Sequence, residues 1–214
     1  MKKITVLSLI AAFASTFSLG QTLKINKVYS FNNKIVYTGT ENSGKTIVTY
    51  SIYWNENDKD RFAFETMDKE GNSSGIMIFD NHEHYQYLID KRELSGIRFT
   101  LSAVDPQLNA MNLKPVGSPT FFLGMKAQHY EATQPGGDKY EFWFAQNSPA
   151  MDSIFAFINA LGIKFIQYPK GQKNVVLQYK YYKNGNLNVA FQATQAFFNQ
   201  KFSFDLSQYK IQVR

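Results

Sequence analysis

The feature that most constrains this chain is the alternation of apolar and polar residues in short stretches that end in turn residues. Lys34 to Thr40 and Lys45 to Trp54 are two such stretches, separated by Asn42, Ser43 and Gly44. Because side chains alternate between the two faces of a β-strand, this spacing predicts strands joined by tight turns. In the second stretch, the face that we expect in the core carries Val48, Tyr50, Ile52 and Trp54.

The pattern continues toward the C-terminus. Lys126 to Thr133 and Lys139 to Ala145 predict one hairpin, and Val175 to Lys183 and Leu187 to Thr194 predict another around Asn184-Gly185. Aromatic residues make up 16% of the chain, which favours half-buried, pleated surfaces. The chain has no cysteine, so it has no disulfide, no thiolate-held zinc and no cysteine nucleophile.

One segment predicts a helix. Ser148 can cap it, Pro149 suits its first position, and Gly162 follows as a stop. Residues at helical spacing form one apolar stripe: Met151, Ile154, Phe155, Ile158 and Leu161. The sequence therefore predicts a mainly β fold with one main helix (α+β), in which a curved antiparallel sheet or half-open β-barrel is covered by an amphipathic helix.

The first twenty residues are typical of a secretory signal peptide. Two lysines precede the apolar stretch from Ile4 to Leu19, and small residues at positions 18 and 20 precede a cut ahead of Gln21. The stretch is shorter than a comfortable membrane span. We expect a single domain over residues 21–214, periplasmic or secreted, without transmembrane insertion. The net charge of +6 includes two leader lysines, and export argues against a nucleic-acid partner.

Motifs for chemistry are weak. Gly71 to Gly75 matches the letters of a serine nucleophile elbow, but charged residues precede it and a strand-like run follows, so a plain turn is favoured. Asp80, His82 and His84 alternate and could hold a metal on one strand face, yet they fall in an apparent turn. We predict no catalytic residue, no metal, no cofactor and no enzymatic activity.

Short motifs carry a family resemblance. They are Phe122 to Tyr130 followed by Glu141-Phe142-Trp143-Phe144, an upstream segment from Phe79 to Asp90, and the ending Phe204 to Tyr209. Over most of residues 24–214 the chain resembles the uncharacterised exported domain DUF4412 of Bacteroidetes, which in turn is similar to the LolA/LolB-like carriers. The resemblance implies a half-open antiparallel barrel around a helix, with an apolar hollow for acyl chains or other hydrophobic cargo. It implies no catalytic residues.

The leading hypothesis is a non-catalytic exported protein that binds a hydrophobic or amphipathic ligand, such as a lipid or a lipoprotein acyl chain, in a hollow between sheet and helix. The residues expected to line it are Trp143, Met151, Phe155 and Ile158. The same residues also fit an ordinary packed core. The alternative function is an envelope or secreted protein-interaction module without a small-molecule ligand, and a hydrolase is disfavoured because no convincing nucleophile is present.

Overall fold

The computed structural model describes residues 21–68, 70–102, 105–106, 108–161 and 166–214. Within them, fourteen strands form one large, open, curved sheet with a single α-helix, which confirms the predicted fold class. The proposed signal peptide, residues 1–20, lies outside the described residues.

The elements are β1 (Thr22–Leu23), β2 (Val28–Glu41), β3 (Thr46–Asn55), β4 (Asp58–Met67), β5 (Ser73–Asp80), β6 (Tyr85–Asp90), β7 (Ser95–Thr100), β8 (Lys114–Pro115), β9 (Thr120–Phe122), β10 (Met125–Thr133), β11 (Lys139–Ala145), α1 (Asp152–Ala160), β12 (Val176–Lys183), β13 (Asn186–Asp205), the 3₁₀ helix η1 (Leu206–Gln208) and β14 (Lys210–Val213).

The sheet consists of two sets of consecutive antiparallel strands. β2 to β7 form one set, and β10 to β13 form the other. The 20-residue strand β13 joins the sets, because it pairs with β12 on one side and with β2 on the other. After η1, β14 crosses to the far side of the first set and pairs with β7 in parallel orientation. The chain end therefore crosses the first set of strands from β2 at one edge to β7 at the other.

The first core lies between the sheet and α1. It contains 28 buried residues, among which are the three fully buried residues of the face that the sequence predicts to be apolar: Tyr50, Ile52 and Trp54. Rings dominate this core, as the pairs Tyr50–Phe64 and Phe62–Phe79 show with centroids 4.8 and 4.5 Å apart. The aromatic excess of the sequence is thus used to fill the space beneath a short helix.

A second core lies on the opposite face of the first strand set. Its buried members are Tyr29, Phe31, Tyr53, Ala63, Ile76, Ile78, Tyr87, Ile89, Leu206, Tyr209 and Ile211. The last three belong to η1, β14 and the residue between them, so the chain end covers this face. The sequence pattern favoured one buried face on β3, but Tyr53 on the other face is also buried, at 4% exposure.

The helix is shorter than predicted. α1 begins at Asp152 with Met151 as its N-cap residue, so Ser148 and Pro149 precede the helix and do not start it. The Ser148 Oγ accepts a hydrogen bond from the Val175 N–H at 2.8 Å, which ties the entry loop to the start of β12. The predicted stop, Gly162, lies outside the described residues. No helix in the described part of the chain is long and apolar enough to cross a membrane.

Candidate functional site: the underside of the helix

Three of the four predicted ligand-lining residues come together beneath α1. Met151, Phe155 and Ile158 are 0–2% exposed and belong to the first core. The Phe155 ring stacks on Tyr168 with centroids 4.7 Å apart, and the Tyr168 hydroxyl donates to the Asn174 carbonyl. These side chains are packed against the protein itself in this structure.

The remaining contacts of α1 with the sheet are also apolar. Five consecutive residues, 154–158, are buried, so the helix is covered on more than one stripe. Phe157 meets the rings of Phe62 and Phe79 edge-on, at 5.6 and 6.0 Å. Among the described residues, α1 forms no hydrogen bond with the sheet. Contacts of this kind are non-directional, and an alkyl chain can make them equally well.

Hydrogen bonds are concentrated just before the helix. The Trp54 Nε1–H donates to the Ala150 carbonyl at 2.9 Å, and the Met151 N–H donates to the Lys173 carbonyl at 2.8 Å. The Tyr37 hydroxyl, which lies 4.0 Å from the Met151 sulfur, donates to the Val176 carbonyl at 2.8 Å. Burial raises the pKa of this tyrosine, which therefore stays neutral. The entry to α1 is fixed to the sheet, whereas the body of the helix is held by apolar packing.

Asn159 is the polar exception on α1. Both its amide nitrogen and its amide oxygen are shielded from solvent, and neither has a hydrogen-bond partner among the residues that the structure describes. A buried amide without a partner is costly and requires an explanation. It lies one helical turn after Phe155, at the same end of the helix as Ile158, where a polar group of a ligand would satisfy it.

Trp143 does not join the other three predicted residues. On β11 it alternates with Phe142 and Phe144, which belong to the first core, so the Trp143 ring lies on the other face of the sheet, and its partly buried side chain also contacts that core. His129 on β10 stacks on it at 4.1 Å between ring centroids, and the Lys180 ammonium on β12 lies 5.1 Å from the ring centroid. Burial lowers the pKa of His129, which favours the neutral ring in this stack.

Ionisable groups next to Trp143 could in principle hold a metal. His129, Glu131 and Glu141 each offer a ligand atom within 4.8 Å of the others. The Lys139 ammonium, however, already hydrogen-bonds Glu131 at 2.9 Å and Glu141 at 2.8 Å. These two bonds raise its pKa, so it remains charged and supplies the positive charge that the carboxylates require.

The metal set suggested by sequence, Asp80, His82 and His84, does not share a face. Asp80 is fully buried at the end of β5, whereas His82 and His84 lie in the turn that follows, and His84 has a left-handed backbone with φ of 55°. Asp80 accepts instead from the Lys27 ammonium at 2.7 Å and from the Tyr29 hydroxyl at 2.9 Å. It is a structural carboxylate beside the second core.

Glu65 is bound in the same manner. It accepts from the Lys91 ammonium at 2.6 Å and from the Tyr53 hydroxyl. Burial alone would raise the pKa of the Glu65 and Asp80 carboxyls, but the hydrogen bonds from lysine and tyrosine outweigh burial and lower both pKa values. Sequence reasoning missed these groups because their partners are up to 53 residues away.

An exposed apolar turn joins β9 to β10. Phe121 is 69% exposed and Leu123 is 46% exposed. Leu123 and Gly124 both have left-handed backbones, with φ of 52° and 75°. For a leucine this conformation costs about 1–2 kcal/mol.

Comparison with known proteins gives distant structural similarity only. No protein-family model and no curated protein matches this chain. An uncharacterized conserved protein from Thermus thermophilus is 8% identical, with a TM-score of 0.47 over 86% of this chain and 91% of the other. MucB in the MucA/MucB complex of Pseudomonas aeruginosa is 12% identical, with a TM-score of 0.43, and this chain spans about half of it (51%), over 80% of its own length.

A LolA superfamily protein from Nitrosomonas europaea is also similar, at 8% identity and a TM-score of 0.29, over 79% of this chain and 86% of the other. The DUF4412 resemblance and the Bacteroidetes origin stay predictions, since no family model matches.

Proposed function

We propose that this chain is a non-catalytic protein, periplasmic or secreted, that holds an apolar or amphipathic ligand between its curved sheet and α1. A lipid or a lipoprotein acyl chain has the required chemistry. The observation that carries the proposal is the way α1 is attached. Its entry is hydrogen-bonded at Ala150 to Trp54 of the sheet and at Met151 to Lys173 in the segment before β12, and the nine helical residues beyond are held by apolar contacts.

Opening of the helix is physically accessible. A nine-residue helix is marginal by itself, and its place depends on burying its apolar side chains. An acyl chain that enters beneath Phe155 and Ile158 replaces the contacts that the helix gives up, so the apolar surface stays out of water. The unpartnered amide of Asn159 gives the head of an amphipathic ligand a hydrogen-bonding site. Trp143 faces the opposite side of the sheet and has no part in this proposal.

The test is native mass spectrometry and lipid extraction of protein purified from a bacterial envelope, with Ile158→Trp as the diagnostic variant. We expect co-purifying lipid with the unaltered protein. The larger ring should fill the space that the ligand enters, so we expect Ile158→Trp to lose at least about 90% of the lipid. Overpacking should also lower the free energy of unfolding by about 1–3 kcal/mol.

Ser153→Trp is the matched control, because it adds the same ring to a half-buried position near the start of α1. It should retain the lipid. Bare protein from the envelope, or equal lipid retention by both tryptophan variants, would contradict the proposal and identify the first core as solid packing.

The exposed turn between β9 and β10 favours a second candidate function, docking to an envelope protein. Phe121 and Leu123 present apolar side chains to solvent in a strained turn, and buried packing does not account for either. The same envelope preparation separates the two candidates. A protein that co-purifies with the Ile158→Trp variant as well as with the unaltered chain, in place of lipid, supports the docking function.

A further inference from the structure

A small pocket at one end of the sheet borders the first core, since Phe144 and Ala145 belong to both. Its volume is about 210 Å³. It is formed by β8, β10, the end of β11 and the segment just before β12, and none of its lining residues is charged: Pro115, Gln128, Tyr130, Phe144, Ala145, Gln146, Gln172 and Asn174.

Four of these eight residues carry side-chain amides. The Gln128 Nε2 donates to the His129 carbonyl at 3.1 Å and lies 3.4 Å from the Val116 carbonyl, so Oε1 is the atom that Gln128 offers as an acceptor. The side-chain amides of Gln146, Gln172 and Asn174 form no hydrogen bond with another described residue. Each therefore offers one acceptor and two donors to a ligand.

Two rings supply the apolar part of the pocket. Tyr130 and Phe144 meet edge-on with centroids 5.8 Å apart. Phe144 is buried, whereas Tyr130 is half-buried and carries a hydroxyl that can also bind a ligand. The pocket thus combines the half-buried ring of Tyr130 with four neutral amides, each able to bind a hydroxyl group.

We propose that this pocket binds a neutral, polyhydroxylated ligand, namely one sugar unit of a glycan. The absence of charge among the lining residues disfavours an ionic ligand, which would lose hydration without gaining a counter-charge. Hydroxyl groups both donate and accept, as the amides do, and the C–H face of a sugar ring packs on an aromatic ring. A pocket of this size takes one ring and leaves further units of a glycan outside.

The test is NMR titration of the ¹⁵N-labelled protein with glucose, galactose, mannose and N-acetylglucosamine, beside glucuronate as the charged counterpart. We expect at least one neutral sugar to give saturable shifts centred on the amides of Gln128, Gln146 and Asn174. Glucuronate should bind at least tenfold more weakly than the best neutral sugar. Equal or tighter binding of glucuronate, shifts centred elsewhere, or no saturable shift with any neutral sugar would overturn the proposal.

Two variants report on the pocket itself. Gln146→Ala removes an exposed amide without disturbing the core and should weaken sugar binding about fivefold, the effect of losing one hydrogen bond. Tyr130→Phe keeps the ring and should weaken binding less. Gln195→Ala, at an exposed amide on β13, is the matched control and should bind sugar as the unaltered protein does. Unchanged binding by Gln146→Ala would place the sugar outside this pocket.

Discussion

The two cores share the strands of the first set but are covered in different ways. The first core is covered by α1, whose nine residues form no hydrogen bond with the sheet in the described part of the chain. The second core is covered by the chain end, which is itself part of the sheet: the end of β13 pairs with β2, and β14 pairs with β7. Buried Asp80 and Glu65, with their lysine and tyrosine partners, lie beside the second core.

This difference indicates which core can admit a ligand. Lifting β14 breaks a row of backbone hydrogen bonds that no apolar ligand can replace. Lifting α1 breaks no hydrogen bond with the sheet in the described part of the chain, and an acyl chain covers the exposed apolar surface again. Both α1 and the chain end cover a buried core, but apolar contacts hold α1 in place, whereas backbone hydrogen bonds hold the chain end.

The largest effect should come from breaking the buried ion pair beside the second core. Lys27→Met leaves the fully buried Asp80 carboxylate with Arg61, at 3.3 Å, and Tyr29 as partners. We expect the free energy of unfolding to fall by about 3 kcal/mol, measured by urea denaturation. Lys24→Met, at an exposed lysine, is the control and should change it by less than about 0.5 kcal/mol. Equal effects of the two variants would show that ion pairs do not stabilise the second core.

A smaller effect should appear on acidification. The pKa values of Glu65 and Asp80 are lowered from their ordinary values of 4.5 and 3.8. The two ionised carboxylates therefore stabilise the fold fully above those ordinary values, and this contribution is lost as pH falls through the folded-state pKa values. Amide hydrogen exchange, corrected for intrinsic rates, should show protection of β14 decreasing below about pH 4.5 while protection of α1 changes less. An equal loss of exchange protection in β14 and α1 would contradict the idea that the two segments are held by different interactions.

The smallest effect should come from the turn between β6 and β7. Leu94 is 53% exposed and has a left-handed backbone with φ of 47°, and its carbonyl accepts from the Lys210 N–H of β14. Leu94→Gly should relieve the strain and raise the free energy of unfolding by up to about 1 kcal/mol. Calorimetry should show a higher Tm, and exchange should slow in β7 and β14 more than in α1. A lower Tm would mean that Leu94 makes a stabilising contact.

Much of the local structure followed from the sequence because its causes are local. The hairpin around Asn184-Gly185 forms as predicted, and both residues have left-handed backbones, with φ of 52° and 77°. On β3, alternation correctly placed Tyr50, Ile52 and Trp54 in a core, but it did not show that Ser51 and Tyr53 on the other face are buried as well. Alternation also indicates that Trp143 faces away from Phe142 and Phe144, which the predicted lining set of Trp143, Met151, Phe155 and Ile158 did not take into account.

The helix boundary and the candidate site depend on distant groups. Ser148 matches a helix cap in sequence, yet its hydroxyl binds the N–H of Val175, 27 residues away. Asn159 is unremarkable in sequence, and its lack of a partner becomes visible only when its surroundings are in place. Pairs such as Lys27–Asp80 join residues 53 apart, a separation that periodicity does not encode.

The sequence by itself determined that this chain forms antiparallel strands with one late apolar helix, because turn residues and side-chain alternation act within a few residues. Only the tertiary structure decided that the strands have a core on each face, that one cover belongs to the sheet and the other does not, and that uncharged amides meet at the sheet's end. Those properties arise from β13 pairing across the two strand sets and from the return of β14 to β7. Such long-range pairings bring together residues whose separation along the chain carries no local signal.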